Sequence, residues 1–230
     1  MKNYMMTTKT LLFYIFIYFS MFYLTSCEKD EAASNNLDYQ TIAELELPFN
    51  DPWFVVWGGR TIDENHHASL NDQRFAIDLV QMENGSTFEG DGRQNEDYYC
   101  YRDTLYAPGS GRIVEMVNSV PENIPGETNT NQLFGNYVII DHGNEEFSVL
   151  AHFVKNSITV SVGDYLDKGQ AIGLSGNSGN STEPHLHYHL QNKPSIGQGN
   201  GLPAQFKSYY ADGIFVPMGE PLKNQTIRKD

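Results

Sequence analysis

The sequence predicts an all-β domain, antiparallel, built as two packed sheets or a flattened barrel. Short runs rich in Val, Ile, Phe and Tyr recur between clusters of Gly, Asn, Asp and Pro, the punctuation of strands and turns. No segment carries a long amphipathic helical period. Three histidines alternate at 185, 187 and 189, which is the two-residue period of a strand.

The chain of 230 residues opens on a basic leader, with Lys2 and Lys9 and no acid before residue 27. Residues 11–24 are almost wholly apolar. That run is shorter than the ~20 residues of a membrane-spanning helix and suits a signal-peptide core. It ends at Leu24-Thr25-Ser26-Cys27, which resembles a bacterial lipobox. Residues 1–26 are therefore expected to be a lipoprotein signal peptide and Cys27 the lipidated residue. An ordinary signal peptide, or an uncleaved anchor, is the alternative. The charged run Glu28-Lys29-Asp30-Glu31 resembles the acidic sorting segment of some surface lipoproteins, and residues 27–38 read as a lipidated cysteine and flexible tether. The expected location is the cell envelope, on the periplasmic or surface face of an outer membrane, held there by the lipid on Cys27.

A single domain is expected over 39–222, with its core at 70–192 and a tail at 223–230. Candidate strands are 53–57, 75–80, 112–117, 137–141, 147–152, 171–175 and 185–190. Residues 39–60, with Trp53 and Trp57, read as added edge strands. Asp141-His142-Gly143-Asn144-Glu145 separates two strands and reads as a hairpin turn. Residues 82–104 and 118–134 are long polar insertions, candidates for the walls of a cleft. The Gly- and Pro-rich stretch 191–230 is expected to pack along the domain before fraying.

The formal net charge is −14, and loss of the leader with its two lysines would bring it to −16. Such a balance argues against nucleic acid as a partner and against electrostatic adhesion to anionic lipid. A protein partner is not indicated. With Cys27 lipidated, Cys100 would have no partner for a disulfide, and it reads as a small packed residue.

The chemistry lies in the histidines. On a strand, His185, His187 and His189 would share one face at about 7 Å spacing. Neutral imidazole is the commonest zinc ligand, and a second imidazole nearby can serve as a base. Just upstream, residues 168–181 read as a strand closed by a Gly/Asn/Ser loop able to approach a ligand closely.

Three longer segments resemble the lysostaphin-like (LytM-type) zinc metalloendopeptidases. They are 162–188 (VGDYLDKGQAIGLSGNSGNSTEPHLHY), 135–153 (GNYVIIDHGNEEFSVLAHF) and 105–116 (LYAPGSGRIVEM). The resemblance runs over roughly 70–192 with order and spacing intact. It implies one zinc ion held by the His and Asp of a His-x-x-x-Asp element and by the second His of His-x-His. Asp78 matches the Asp ligand and His187 the second His. His185 and His152 match the two histidines that flank the water and the scissile carbonyl. His189 stands where the family often has an acid, and is expected at the rim of the site or behind it. Asn177, in the loop before His-x-His, is expected near substrate. His142 is expected to take no part in catalysis.

One position departs from the pattern. Arg74 stands four residues before Asp78, where the family has its first His, and arginine cannot ligate zinc. Three repairs are open. His66 or His67 swings in as the third ligand; His189 joins; or no metal binds and Arg74 takes a substrate carboxylate. Asn65-His66-His67 ahead of Gln73-Arg74-Phe75-Ala76-Ile77-Asp78 resembles a variant group with Asn-x-His before Gln-Arg-x-Ala-x-Asp, which puts His67 ahead of His66. The resemblance implies a zinc endopeptidase acting on peptidoglycan stem or cross-link peptides. The rival expectation is a metal-free relative that binds the wall or regulates another wall hydrolase.

Overall fold

The structure, a computed structural model, describes residues 36–230. The expected signal peptide and Cys27 lie outside the described residues. Of the expected tether, Asn36–Asp38 form a single 3-10 turn.

The described residues form strands β1 (Trp53–Trp57), β2 (Ile77–Val80), β3 (Thr104–Tyr106), β4 (Gly111–Val117), β5 (Tyr137–Asp141), β6 (Phe147–Ala151) and β7 (Tyr165–Leu166). They continue with β8 (Ala171–Leu174), β9 (Leu186–Gln191), β10 (Gly201–Leu202), β11 (Phe206–Ala211), β12 (Ile214–Gly219) and β13 (Thr226–Lys229). The fold is all-β, as the alternation of residues predicts. Eleven strands make one sheet in the order β12-β11-β13-β1-β2-β9-β6-β5-β4-β7, with β10 on β9, while β3 and β8 form a separate pair. The ladders between these strands are antiparallel.

Two expectations are corrected. Residues 223–230 are not a tail: β13 pairs with both β1 and β11 inside the sheet. Its Ile227 is fully buried. For the same reason β1 is not an edge strand, since β13 covers one side of it and β2 the other. The expected frayed stretch 191–230 supplies four strands, because Phe206, Tyr209, Ala211 and Ile227 bury side chains that a loop would leave wet.

Alternation along the strands sorts the two faces. Ile77, Leu79, Leu150, Leu186, Tyr188 and Leu190 point into the main core, together with Trp53, Val55, Val138 and Ile140. Truncating a fully buried member such as Leu186 to Ala is expected to cost about 2–5 kcal/mol. On the opposite face Phe134, Ile139, Phe147, Val149 and Ala151 form a smaller cluster. The histidines of β9 lie on that face: Val149 pairs with His189 and Ala151 with His187. The smaller cluster covers the far end of the histidine row and leaves the near end open.

Candidate metal centre and active site

Register delivers the first two residues. Asp78 of β2 lies directly opposite His187 of β9. Their side chains meet, with His187 Nδ1 2.8 Å from Asp78 Oδ1. The other carboxylate oxygen, Oδ2, lies 2.9 Å from Nε2 of His67. His67 arrives from outside the sheet on a short 3-10 turn, His66–Ser69, capped by Asn65.

The local sequence explains why His67 and not His66 points inward. Asn65 is fully buried; its side-chain oxygen accepts from the His67 N–H, and its amide donates to the carbonyls of Gly59 and Ala76. One side chain therefore ties the turn to the residue two positions before Asp78. His66 is exposed, edge-on to Trp57 at 4.8 Å and against the His67 ring at 3.9 Å. Ligand-capable atoms of His66, His67 and Asp78 lie within 4.8 Å of one another, so both histidines of the pair are in reach. Of the two, His67 makes the hydrogen-bond contact.

His152 and His185 come from the opposite wall. His152 follows β6 with a left-handed backbone, φ 66°. A loop packed behind it holds that conformation. Its Nδ1 donates to the carbonyl of Ser178 at 2.7 Å. Its own N–H donates to Phe134 O. Gly135 and Gly179 make the packing possible: a Cβ at Gly135 would collide with the Ser178 carbonyl, and one at Gly179 with Gly135. Both glycines also have positive φ. His185 begins the β9 row, with Nδ1 2.9 Å from Glu183 O and 3.1 Å from Ser181 Oγ. A carbonyl can only accept, so in the neutral ring Nδ1 carries the hydrogen at both His152 and His185 and Nε2 is bare. Nε2 of His185 lies 3.9 Å from Asp78 Oδ1. The two rings sit 4.6 Å apart.

These side chains line one cleft of about 430 Å³. Trp57 and His66 form one side; Phe134, Thr128 and the polar residues Asn180–Glu183 form the other. No lysine or arginine is among the lining residues. Of the two insertions, 118–134 supplies wall residues and 82–104 supplies none. The latter instead braces the walls from behind, through Thr87 on Glu183 and Asn95 on Asn177 and Asn123.

Electrostatics favour an ionised acid among neutral bases. Burial pushes the Asp78 carboxyl up, but the two imidazoles set against its oxygens, His67 and His187, outweigh it and hold the carboxyl well below its usual range. Burial pushes the imidazole of His152 well down, and the neighbouring His185 and His187 push it further. Burial likewise lowers His187, against the pull of Asp78.

Other expected site residues lie elsewhere. Arg74 is not among the cleft residues; its guanidinium lies 5.8 Å from the Phe75 ring and its Nε is buried without a hydrogen-bond partner. Asn177 is fully buried in loop bonds to Asn95, Asn123, Ser181 and Glu122. His189 is buried behind His187, 3.0 Å from it, and does not line the cleft. Cys100 is buried, with its thiol on the carbonyl of Pro184 and its pKa pushed up to about 12, chiefly by burial. It supports the start of the His-x-His strand and is unsuited to be a nucleophile. Sequence reading passed over Asn65 as a positioning residue and Gln191 altogether. The amide immediately before the histidine-bearing turn was a cap signal; Gln191 gave no signal of its own.

The donor set fits a zinc ion. Two imidazole nitrogens and a carboxylate oxygen converge, and tetrahedral zinc takes such ligands at about 2.0–2.2 Å. That places neighbouring ligand atoms about 3.3 Å apart, a few tenths of an ångström wider than the present 2.8 and 2.9 Å.

A model of peptidase family M23 matches residues 96–198, which includes His152, His185 and His187 and stops short of Asp78. Peptidoglycan DD-endopeptidase ShyA of Vibrio cholerae is 40% identical over 89 residues, 36% of this chain and 20% of that protein. An uncharacterized metalloprotease of Haemophilus influenzae is 48% identical over 54 residues, 24% of this chain and 11% of that one. Among solved structures, a zinc-containing peptidase from Vibrio cholerae aligns with a TM-score of 0.42 at 19% identity, covering 64% of this chain and 36% of that chain. The chain thus spans a fifth or less of the length of these two curated relatives. The matched segment, which carries the His-x-His strand and several strands of the sheet around it, is thus similar to peptidase family M23.

Proposed function

We propose that the protein is a zinc-dependent endopeptidase that hydrolyses peptide bonds in peptidoglycan stem or cross-link peptides. The zinc would be held by Nε2 of His67, the carboxylate of Asp78 and Nδ1 of His187. The observation that carries this reading is the convergence of those three groups, at 2.8 and 2.9 Å, at the base of a cleft that also presents His152 and His185. Relatives named as peptidoglycan DD-endopeptidases support the substrate class. The lipid on Cys27 and an envelope location belong to the same proposal and would keep the enzyme beside the wall.

Bound zinc would supply an acidified water and a polarised carbonyl. The chain's own residues do the rest. An extended peptide lies along the cleft, its backbone facing the neutral polar wall Asn180–Thr182 and the Trp57 side. His152 and His185 each keep Nδ1–H on a backbone carbonyl, so each has Nε2 free to accept. One takes the proton of the attacking water at Nε2 and delivers it to the leaving amine; the other, having taken a proton from solvent at Nε2 through the open cleft, donates a hydrogen bond to the oxyanion and returns that proton to solvent when the products leave. Phe134, edge-on to His187, limits water on the far side.

The test is metal content and muropeptide digestion of the purified full-length protein, beside His187→Ala, His67→Ala and His66→Ala. About one zinc per chain, lost in the His187 and His67 variants and kept in the His66 variant, is the expected result. Zinc lost with His66 and kept with His67 would replace the third ligand. A second reading rests on Arg74 at the usual first-ligand position: a metal-free, non-hydrolytic member that binds the wall or regulates another hydrolase. Absence of retained zinc in the unmutated protein would select it.

A further inference from the structure

We propose that His189 and Gln191 form a hydrogen-bond relay that fixes the tautomer of His187, presenting a bare Nδ1 to the metal position. The proposal rests on the zinc reading above and assigns the two residues a positioning role. Three alternate residues of β9 carry it. Nε2 of His187 lies 3.0 Å from Nδ1 of His189, and Nε2 of His189 lies 3.0 Å from Oε1 of Gln191. The Gln191 amide nitrogen donates to the carbonyls of Lys193 and Ser195 at 2.7 and 3.2 Å. His189 is 1% exposed and Gln191 fully buried, so water does not compete.

The direction of every bond follows from the far end. Two carbonyls accept from the Gln191 NH₂, which turns its oxygen toward His189. An amide oxygen has no hydrogen, so Nε2 of His189 must donate. A neutral imidazole carries one N–H, so Nδ1 of His189 is an acceptor, and Nε2 of His187 donates to it. Nδ1 of His187 is then a lone pair, 2.8 Å from a carboxylate oxygen of Asp78. Oδ1 of Asp78 is also 3.9 Å from the Nε2 that His185 leaves bare. Lone pairs facing a carboxylate repel unless a cation lies among them. The relay thus builds a cation-demanding corner from neutral histidines, and it starts at Gln191, four residues along β9 from His187. Phe134, 5.7 Å from both His187 and His189, seals it.

Two measurements test this. The first is long-range ¹H–¹⁵N correlation of the histidine rings in the metal-free full-length protein. The expected spectrum has His189 as the single Nε2–H tautomer and His187 protonated at Nε2, with a proton free to occupy its Nδ1 against Asp78 in place of the metal; an Nδ1–H tautomer at His189, or a bare Nε2 at His187, overturns the relay, whatever the zinc affinity. The second is zinc affinity by chelator competition. His189→Leu and Gln191→Leu are expected to weaken zinc by about 10–100-fold. His189→Gln keeps an acceptor for His187 Nε2–H and is expected to restore binding to within a few-fold. Leucine variants that bind zinc as tightly as the unmutated protein overturn the proposal. If the unmutated protein binds no zinc, the endopeptidase reading fails, while the tautomer spectrum still decides the relay. Should the leucine variants fail to fold, the unmutated spectrum and His189→Gln decide it.

Discussion

His142 and His152 are both held by a backbone carbonyl at Nδ1, yet they serve opposite ends. His142 has Nδ1 2.8 Å from Ser110 O and Nε2 2.8 Å from Ser148 Oγ, and that hydroxyl meets Tyr188 OH at 2.8 Å. Both nitrogens are spent on protein, and the ring joins the β5–β6 turn to the core. His152 spends only Nδ1, on Ser178 O, and lines the cleft. The lesson is that a carbonyl anchor at Nδ1 does not distinguish a chemical histidine from a structural one. What distinguishes them is whether the second nitrogen meets protein or open space.

The largest effect that would break this contrast is on turnover. His152→Ala is expected to lower kcat by about 10²–10⁴-fold while zinc content stays near that of the unmutated protein. His142→Ala is expected to leave kcat within a few-fold. Muropeptide digestion with metal analysis on both variants checks it. Equal losses in the two would mean that the open nitrogen of His152 does no chemistry.

Next in size is the turn that aims His67. Asn65→Ala removes a cap and the two bonds from its amide to Gly59 and Ala76. Its zinc affinity is expected to fall about 10–100-fold, and its stability by about 1–3 kcal/mol for the polar groups left unpaired. His142→Ala should show a similar stability loss, about 1–3 kcal/mol, with zinc affinity intact. Denaturant unfolding beside chelator competition separates the two. If Asn65→Ala loses stability alone, the turn is a scaffold and His67 finds its place without it.

How far the sequence shows this depends on the period of the signal. Seven strands were legible because apolar residues alternate between turn residues, and β9 announced its own face through three histidines. The pairing of Asp78 with His187 was legible only through resemblance, since register between strands 109 residues apart leaves no local trace. β11 to β13 were missed because Pro, Gly and charge interrupt them, while their burial comes from a cross-sheet pairing that residues 206–229 do not advertise. Arg74 and Asn177 were placed by their distance from motifs. The guanidinium turns instead to the Phe75 ring, and the amide is consumed by its own loop. Gln191 escaped notice because a lone amide at a strand end has no period, and its role appears only through what its two ends face.

The smallest effect is the pH dependence that the structural histidine imposes. Burial pushes the His142 imidazole below its ordinary pKa; the Ser110 carbonyl, Glu146 and Asp141 oppose this without reversing it. Glu146 faces it from the same turn, itself pinned by Tyr39 and the N–H groups of Ile42 and Ala43. A lowered folded pKa means that the unfolded chain takes up the proton first. Stability from this group is therefore whole above the unfolded value, about 6.5, and is lost as pH falls from there toward the folded pKa. One group contributes a slope of at most about 1.4 kcal/mol per pH unit. The buried histidines His152, His187 and His189 are lowered as well and add slopes of the same sign. The informative quantity is the difference between the unmutated protein and His142→Gln, which cannot titrate. Unfolding free energies of the metal-free proteins between pH 7.5 and about 5.5 should show a shallower acid loss in the variant, by up to that single-proton slope. Parallel curves would mean that His142 stays equally neutral in both states, and that its network with Ser110, Ser148 and Tyr188 holds the turn without sensing pH.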